Sequence, residues 1–370
     1  MSLSFYRKYR PKTLGDLLGQ ETNRDILRSA AKQNRIGHAY LFYGPRGTGK
    51  TTTARILAKL LNCETRAGDA AFRAQGEPCN SCGTCIAIDR GTALDLIEID
   101  AASNRGIDEI RNLKEGIYTS PAENQYKVYI IDEAHMLTRE AMNALLKTLE
   151  EPPRHAALIL ATTEFEKLPP TITSRTQRFL FKKIPKQAIV EKLKVIADAE
   201  RIRIEPAALE LIAAAGEGSF RDAESLLDQI AAAEEHITLA AAERISGKAG
   251  AAKVRALAGL IFARDLKGSL AYLAGLHEEG QNIVNFTKDL IHYLRKAVTL
   301  KLNPSLEKFY RDEFAEHELS ELVALASSAD ARVHIPFLKA LIRAYGEMRY
   351  SPLAIVPIEI AIVEHLQSEA

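Results

Sequence analysis

Eight residues, Gly44-Pro45-Arg46-Gly47-Thr48-Gly49-Lys50-Thr51, restrict this chain more than any other part of it, because they satisfy G-x-x-x-x-G-K-[ST] at every fixed position. The pattern has mechanical meaning only between a strand and a helix, and both flanks comply. Ala39-Tyr40-Leu41-Phe42-Tyr43 is apolar and aromatic and predicts a short buried strand. From Thr51 to Leu61 the apolar residues Ile56, Leu57, Leu60 and Leu61 return at helical spacing. Glycines let such a loop curl its N–H groups inward at phosphate oxygens, and the helix starting near Lys50 adds its positive dipole end. Lys50 is therefore expected at the β- and γ-phosphates of a nucleoside triphosphate and the Thr51 hydroxyl at Mg²⁺, with Thr52 completing the nucleotide-binding run.

The rest of the site is sought at the ends of the other strands. Apolar runs at Leu94 to Ile99, Lys127 to Ile131 and Ala157 to Ala161 alternate with helical stretches, which implies a parallel sheet covered on both faces. Val128-Tyr129-Ile130-Ile131-Asp132-Glu133 ends in two acids, placing Asp132 where ligands of open α/β sheets gather. Asp132 is expected to hold Mg²⁺ through water and Glu133 to orient the attacking water. His135 reads as a packed, hydrogen-bonded residue. Thr162 or Thr163, closing the fourth strand, would bond the γ-phosphate or the water. Arg175 in Thr173-Ser174-Arg175 is either a surface charge or a group supplied across a subunit boundary, and Arg221 could approach phosphate from a later helix.

Only four cysteines occur, all between positions 63 and 85. Cys79, Cys82 and Cys85 form C-x-x-C-x-x-C, and Cys63 sits at the end of the predicted P-loop helix. Four thiolates make a closed tetrahedral Zn²⁺ site, structural rather than catalytic. Bacterial iron–sulfur runs of similar spacing continue with Pro, whereas Ile86 follows here. Lys plus Arg number 49 against 48 Asp plus Glu, a net charge of +1, so no global field attracts nucleic acid and any DNA contact must be local. The basic start and Asn104-Arg105-Gly106 are the candidates for it. Without a signal peptide or an apolar run of membrane length, a soluble cytoplasmic protein with no membrane contact is expected.

Residues 1 to 36 read as helical after the Arg10-Pro11 break. Beyond Pro185 the pattern is helices alone, at 186–201, 206–215 and 219–234. A hinge is expected at 247–250. Past it, Ile283, Phe286, Leu290, Ile291, Leu294 and Val298 share one helical face, as in a bundle.

Taken together these residues resemble the gamma/tau family of bacterial DNA polymerase III subunits, clamp-loader ATPases of the AAA+ class. Arg7-Lys8-Tyr9-Arg10-Pro11 with Leu17-Leu18-Gly19-Gln20 is similar to the family's adenine-pocket segment. The insertion from Asn62-Cys63-Glu64 through Cys85 is its most distinctive feature. Leu96 through Ser103 and Asn143 through Pro153 are also similar. The resemblance implies an α/β P-loop domain over 1–180 carrying the zinc insertion at 63–85, a helical lid at 181–243 and an all-α collar at 248–370. By it, Tyr9, Arg10 and Pro11 line the adenine pocket, Thr162 or Thr163 is the first sensor, Arg175 is a trans arginine finger and Arg221 is the second sensor. One departure is visible: Thr176 stands where the family's Ser-Arg-Cys motif has cysteine.

The resemblance further implies ATP hydrolysis with Mg²⁺, loading of a ring-shaped sliding clamp onto primed DNA, and membership of the DNA-directed DNA polymerase holoenzyme. Its partners would be further copies of itself, delta- and delta-prime-type subunits, the clamp and DNA. The long tau-type tail is not matched, which implies a short gamma form or a trimmed chain. Another AAA+ motor would share the cradle and Asp132-Glu133, but the cysteine insertion and three-part layout favour the clamp loader. ATPase-dead scaffolds of this kind lose P-loop residues or the trailing glutamate, and both are kept here.

Overall fold

Five short runs pair in parallel to form one sheet: β1 (Ala39–Tyr43), β2 (Leu96–Asp100), β3 (Lys127–Asp132), β4 (Ala156–Thr162) and β5 (Gln177–Leu180), in the order β2-β3-β4-β1-β5. This computed structural model describes residues 3–103, 113, 115–246, 251–310, 314 and 316–367. The Asn104-Arg105-Gly106 segment and the expected hinge at 247–250 lie outside the described residues. The chain divides into two compact units, one made of 1–184 with 218–222, the other of 185–217 with 223–370.

Alternation along the strands sorts side chains to the two faces of the sheet. Tyr40, Phe42, Val128, Ile130, Ala157 and Ile159 share one core with Ile56 and Leu57 of the helix Lys50–Asn62 and Leu27 of the helix Glu21–Lys32. Leu41, Tyr129, Ile131, Leu158 and Leu160 share the other with Met142, Leu145 and Leu149 of the helix Arg139–Glu150. β4 is buried along its whole length, as a central parallel strand with both faces covered must be.

Two expectations are corrected. Among the described residues, the first 36 positions are helical only at Phe5–Lys8 and Glu21–Lys32. Between them Asp16 accepts from the N–H groups of Lys12 and Thr13, and the Thr13 hydroxyl accepts from Asp16 N–H. These side-chain bonds offer the backbone a turn in place of a helix. The fifth strand, Gln177–Leu180, is not among those the apolar runs imply. It is a four-residue edge strand with only Phe179 buried, so it lacks the pattern that betrays a central one.

In the second unit the helices Lys186–Glu200 and Pro206–Ala215 bury Ile189, Leu193, Ile196 and Ile212. The two-residue strands Arg203–Ile204 and His236–Ile237 pair in parallel nearby. A separate core lies farther along, where Phe286, Leu290 and Leu294 of the 20-residue helix Ile283–Leu302 meet Phe337, Leu341, Ile358 and Ile362. Among the described residues no helix is long and apolar enough to cross a membrane.

Candidate nucleotide and metal sites

Three strands deliver their carboxyl ends to one edge of the sheet, where β1 runs into the glycine loop, β3 ends at Asp132 and β4 at Thr162. The loop is seated by Gly44 N–H donating to Thr162 O at 3.2 Å. Gly44, Gly47 and Gly49 all have positive φ, at 138°, 72° and 101°. A Cβ at Gly44 would lie 2.0 Å from the Phe181 carbonyl oxygen and one at Gly47 1.7 Å from Ser219 Oγ, so both positions favour glycine. Phe220 N–H also donates to Gly47 O at 3.2 Å, so the start of the helix Phe220–Ala233 closes over the loop.

Lys50 opens the helix Lys50–Asn62 and is only 6% exposed. Its ammonium donates to the carbonyls of Gly44 and Pro45, both at 2.8 Å, folding the side chain back across the loop. Burial lowers its pKa, an effect that the nearby Glu133 and Asp132 carboxylates oppose. The Thr51 hydroxyl donates to Asp132 Oδ2 at 2.7 Å, joining the loop to the end of β3.

Glu133 follows at φ 47°, ψ 46°, an uncommon conformation for a residue with a side chain. Its Oε2 accepts from Thr163 Oγ1 at 2.9 Å and Thr163 N–H at 3.2 Å. Thr162, fully buried, instead has its hydroxyl 2.9 Å from His135 Nδ1, and accepts from Glu164 N–H at 3.0 Å. His135 is the packed, bonded residue expected, with Nε2 3.2 Å from a Glu164 oxygen. The two threonines thus differ in contact: Thr163 bonds Glu133 directly, whereas Thr162 bonds His135, whose Nδ1 also lies 3.4 Å from Glu133 Oε2.

Arg221 lies 5.1 Å over the Tyr6 ring, a cation–π contact with the basic, aromatic start of the chain. Arg10 is half-buried. Burial is the main cause lowering its pKa, reinforced by Arg55, Arg221 and Arg7 and opposed by Glu98. A group of guanidinium cations therefore converges near Arg10, a setting that favours an anion. Arg175 is placed differently. It bonds Glu150 through Nε at 2.7 Å, the Thr171 carbonyl at 2.9 Å and Ser174 Oγ at 3.3 Å, none of them a residue of the glycine loop. Thr176, which follows it, bonds back to the Ile172 carbonyl at 3.2 Å and so finds a local partner for its hydroxyl. Tyr6, Ser219 and the grip of Thr163 on Glu133 carry no signal in the sequence, since only tertiary contact gives them a role.

The four cysteine sulfurs lie within 4.8 Å of one another, and no disulfide joins them. Tetrahedral thiolate zinc, with Zn–S near 2.3 Å, needs sulfurs about 3.8 Å apart, so this set fits the ion. Backbone N–H groups already point at sulfur: Cys82 N–H to Cys79 Sγ at 3.2 Å, Ser81 N–H to the same atom at 3.4 Å and Cys85 N–H to Cys82 Sγ at 3.5 Å. Burial pushes the thiols of Cys63 and Cys85 up. Burial also raises Cys79, but bonds from Thr65, Ser81 and Cys82 outweigh it and bring that thiol down to about 5. A bound cation would favour the thiolate form at all four positions. If the set holds zinc, Cys82→Ser should lose the metal, about one ion per chain by elemental analysis, and melt several degrees lower, on the order of 5 °C. Native material that never carries metal would count against the assignment.

Comparison with known proteins agrees along nearly the whole chain. Family models described as "DNA polymerase III, delta subunit", "DNA polymerase III clamp loader subunit, ATPase lid domain" and "DNA polymerase III subunits gamma and tau domain III" match residues 19–185, 188–235 and 237–368. The chain is 40% identical over 366 residues to DNA polymerase III subunit tau of Bacillus subtilis, spanning 99% of this chain and 63% of the relative. It is 42% identical over 309 residues to the gamma/tau subunit of Mycoplasma pneumoniae, 81% of this chain and 44% of that one. Against the Escherichia coli tau subunit it is 48% identical over 242 residues, 65% of this chain and 36% of the relative. The chain thus spans less than two thirds of the length of these curated relatives. With three consecutive DNA polymerase III family models covering it and gamma/tau relatives at this identity, the chain belongs to the gamma/tau family of DNA polymerase III subunits.

Proposed function

We propose that this chain binds ATP with Mg²⁺ and hydrolyses it to drive the loading of a ring-shaped sliding clamp onto primed DNA, as a subunit of a bacterial DNA polymerase III holoenzyme. The observation that carries the reading is the 2.7 Å bond from Thr51 to Asp132, which brings the phosphate loop and the acid-tipped strand to one point. Mg²⁺ held by these two residues would neutralise charge on the β- and γ-phosphates. Lys50 exchanges its two loop carbonyls for phosphate oxygens. Glu133, released from Thr163, orients the attacking water. Thr163 is then the better candidate for the residue that couples the γ-phosphate to the glutamate, with Thr162 its buried support.

Arg221, on a helix that begins in the first unit and continues in the second, is the candidate to report nucleotide state along the chain. Tyr9, Arg10 and Pro11 would hold the base, and Arg175 would act on the nucleotide of a neighbouring copy. Three parts divide the labour: a nucleotide-binding domain over 1–180 with a zinc insertion at 63–85, a lid at 181–243 and an assembling collar at 248–370. Delta- and delta-prime-type subunits, further copies of this chain, the clamp and DNA are the partners, and the cytoplasm is the setting. ATP turnover measured for the chain alone, then with those partners and primed DNA, tests the whole. Stimulation by clamp and DNA is expected, and turnover indifferent to both would discard the loader role.

A further inference from the structure

The cysteine insertion is bonded to the very segment expected to carry the base. Glu77, two residues before Cys79, accepts from Leu14 N–H at 2.7 Å and from Gly15 N–H at 3.0 Å, one with each carboxylate oxygen. These amides follow closely on Tyr9-Arg10-Pro11. A few residues past this turn, at the start of the helix Glu21–Lys32, Gln20 Nε2 donates to Lys182 O at 2.8 Å and reaches Thr48 O of the phosphate loop at 3.5 Å. Along the chain, the turn held by Glu77 therefore joins the segment expected to carry the base to Gln20, which reaches the phosphate loop.

The mooring of Glu77 is itself fixed. Arg28 Nε stands 3.4 Å from its carboxylate and donates to Gln75 O at 3.2 Å. Gly76 has φ 73°, and a Cβ there would come within 2.8 Å of the Arg28 carbonyl, so the insertion lies on the Glu21–Lys32 helix as closely as backbone allows. On the other limb Lys59, 1% exposed, donates to Asn80 Oδ1 at 2.9 Å, inside the Cys79–Cys82 loop, and pairs with Asp89. Cys63 caps the helix that starts at the phosphate loop. A continuous path of bonds thus runs from the cradle along one helix, through the cysteine cluster, to Glu77 and back to Leu14.

We propose that Glu77 is a positioning residue for the nucleotide: by fixing the Leu14 and Gly15 amides it sets Tyr9-Arg10-Pro11 at the correct distance from the phosphate loop, with the cysteine cluster as the brace. The inference rests on the nucleotide reading given above. Two bonds to a carboxylate that orders a loop contribute enough for Glu77→Ala to weaken ATP binding about tenfold, while the phosphate cradle is untouched.

Calorimetry with ATP and, separately, with inorganic tripolyphosphate tests this on the native chain, Glu77→Ala, Glu77→Gln and metal-stripped native protein. The expected result is a loss confined to ATP, with equal tripolyphosphate affinity, unchanged metal content in both variants and faster amide exchange at Leu14 and Gly15. Glu77→Gln, which keeps one acceptor oxygen, should fall between, and stripping the metal should reproduce the same split. Equal ATP affinity in all four, or parallel losses of ATP and tripolyphosphate, would overturn the proposal and leave Glu77 a packing residue. A native chain that bound tripolyphosphate and ATP equally weakly would instead sink the nucleotide reading, and the inference with it.

Discussion

Lys50→Ala is expected to abolish adenine nucleotide binding while leaving the fold intact. The ammonium is buried and spends both of its observed bonds, 2.8 Å each, on carbonyls of the loop that it must release when phosphate arrives. The exchange costs little, since one pair of charge-assisted bonds replaces another. Alanine removes the group that would meet the β- and γ-phosphates from this position. Charged hydrogen bonds are worth roughly 1.5–3 kcal/mol each, so losing two should weaken binding at least about a hundredfold. Calorimetry with ATP on variant protein of native circular dichroism measures it. An affinity within about threefold of native would refute the phosphate role of Lys50.

Arg175→Ala is expected to do the opposite: spare ATP binding and remove the DNA-stimulated turnover of the assembled complex, by about a thousandfold if the arginine acts as a trans finger. Within one chain its partners are Glu150, Thr171 and Ser174, and its side chain is 34% exposed. A group held at the surface by a still more accessible glutamate can be surrendered to a neighbouring subunit's phosphate at small cost, because such surface pairs contribute about 1 kcal/mol or less. Steady-state phosphate release by the native and variant assemblies, with and without primed DNA, is the measurement. Unchanged stimulation would return Arg175 to the status of a surface ion pair.

Much of the candidate site is legible in the amino-acid sequence. The glycine loop, its strand and its helix appear where the spacing puts them, and the helix begins at Lys50 itself. Asp132 closes β3 and Thr162 closes β4, both one residue beyond the apolar runs that betray those strands. The cysteine cluster is legible because metal-ligand spacing is a local property. The edge strand Gln177–Leu180 and the turn at 12–16 are not, because neither carries an apolar period of its own and each is defined by its partners.

What the amino-acid sequence determined by itself is every feature set by neighbours in the chain: the phosphate loop, the alternation of strand and helix, the helical second half and the quartet of thiols. Tertiary structure alone decided which of two adjacent threonines grips Glu133, that Ser219 closes on Gly47, and that Glu77 moors Leu14. The physical reason is range. Periodicity reports contacts a few residues apart, whereas Gln20 meets Lys182 across 162 positions, a pairing that exists only once the sheet has brought the two ends together.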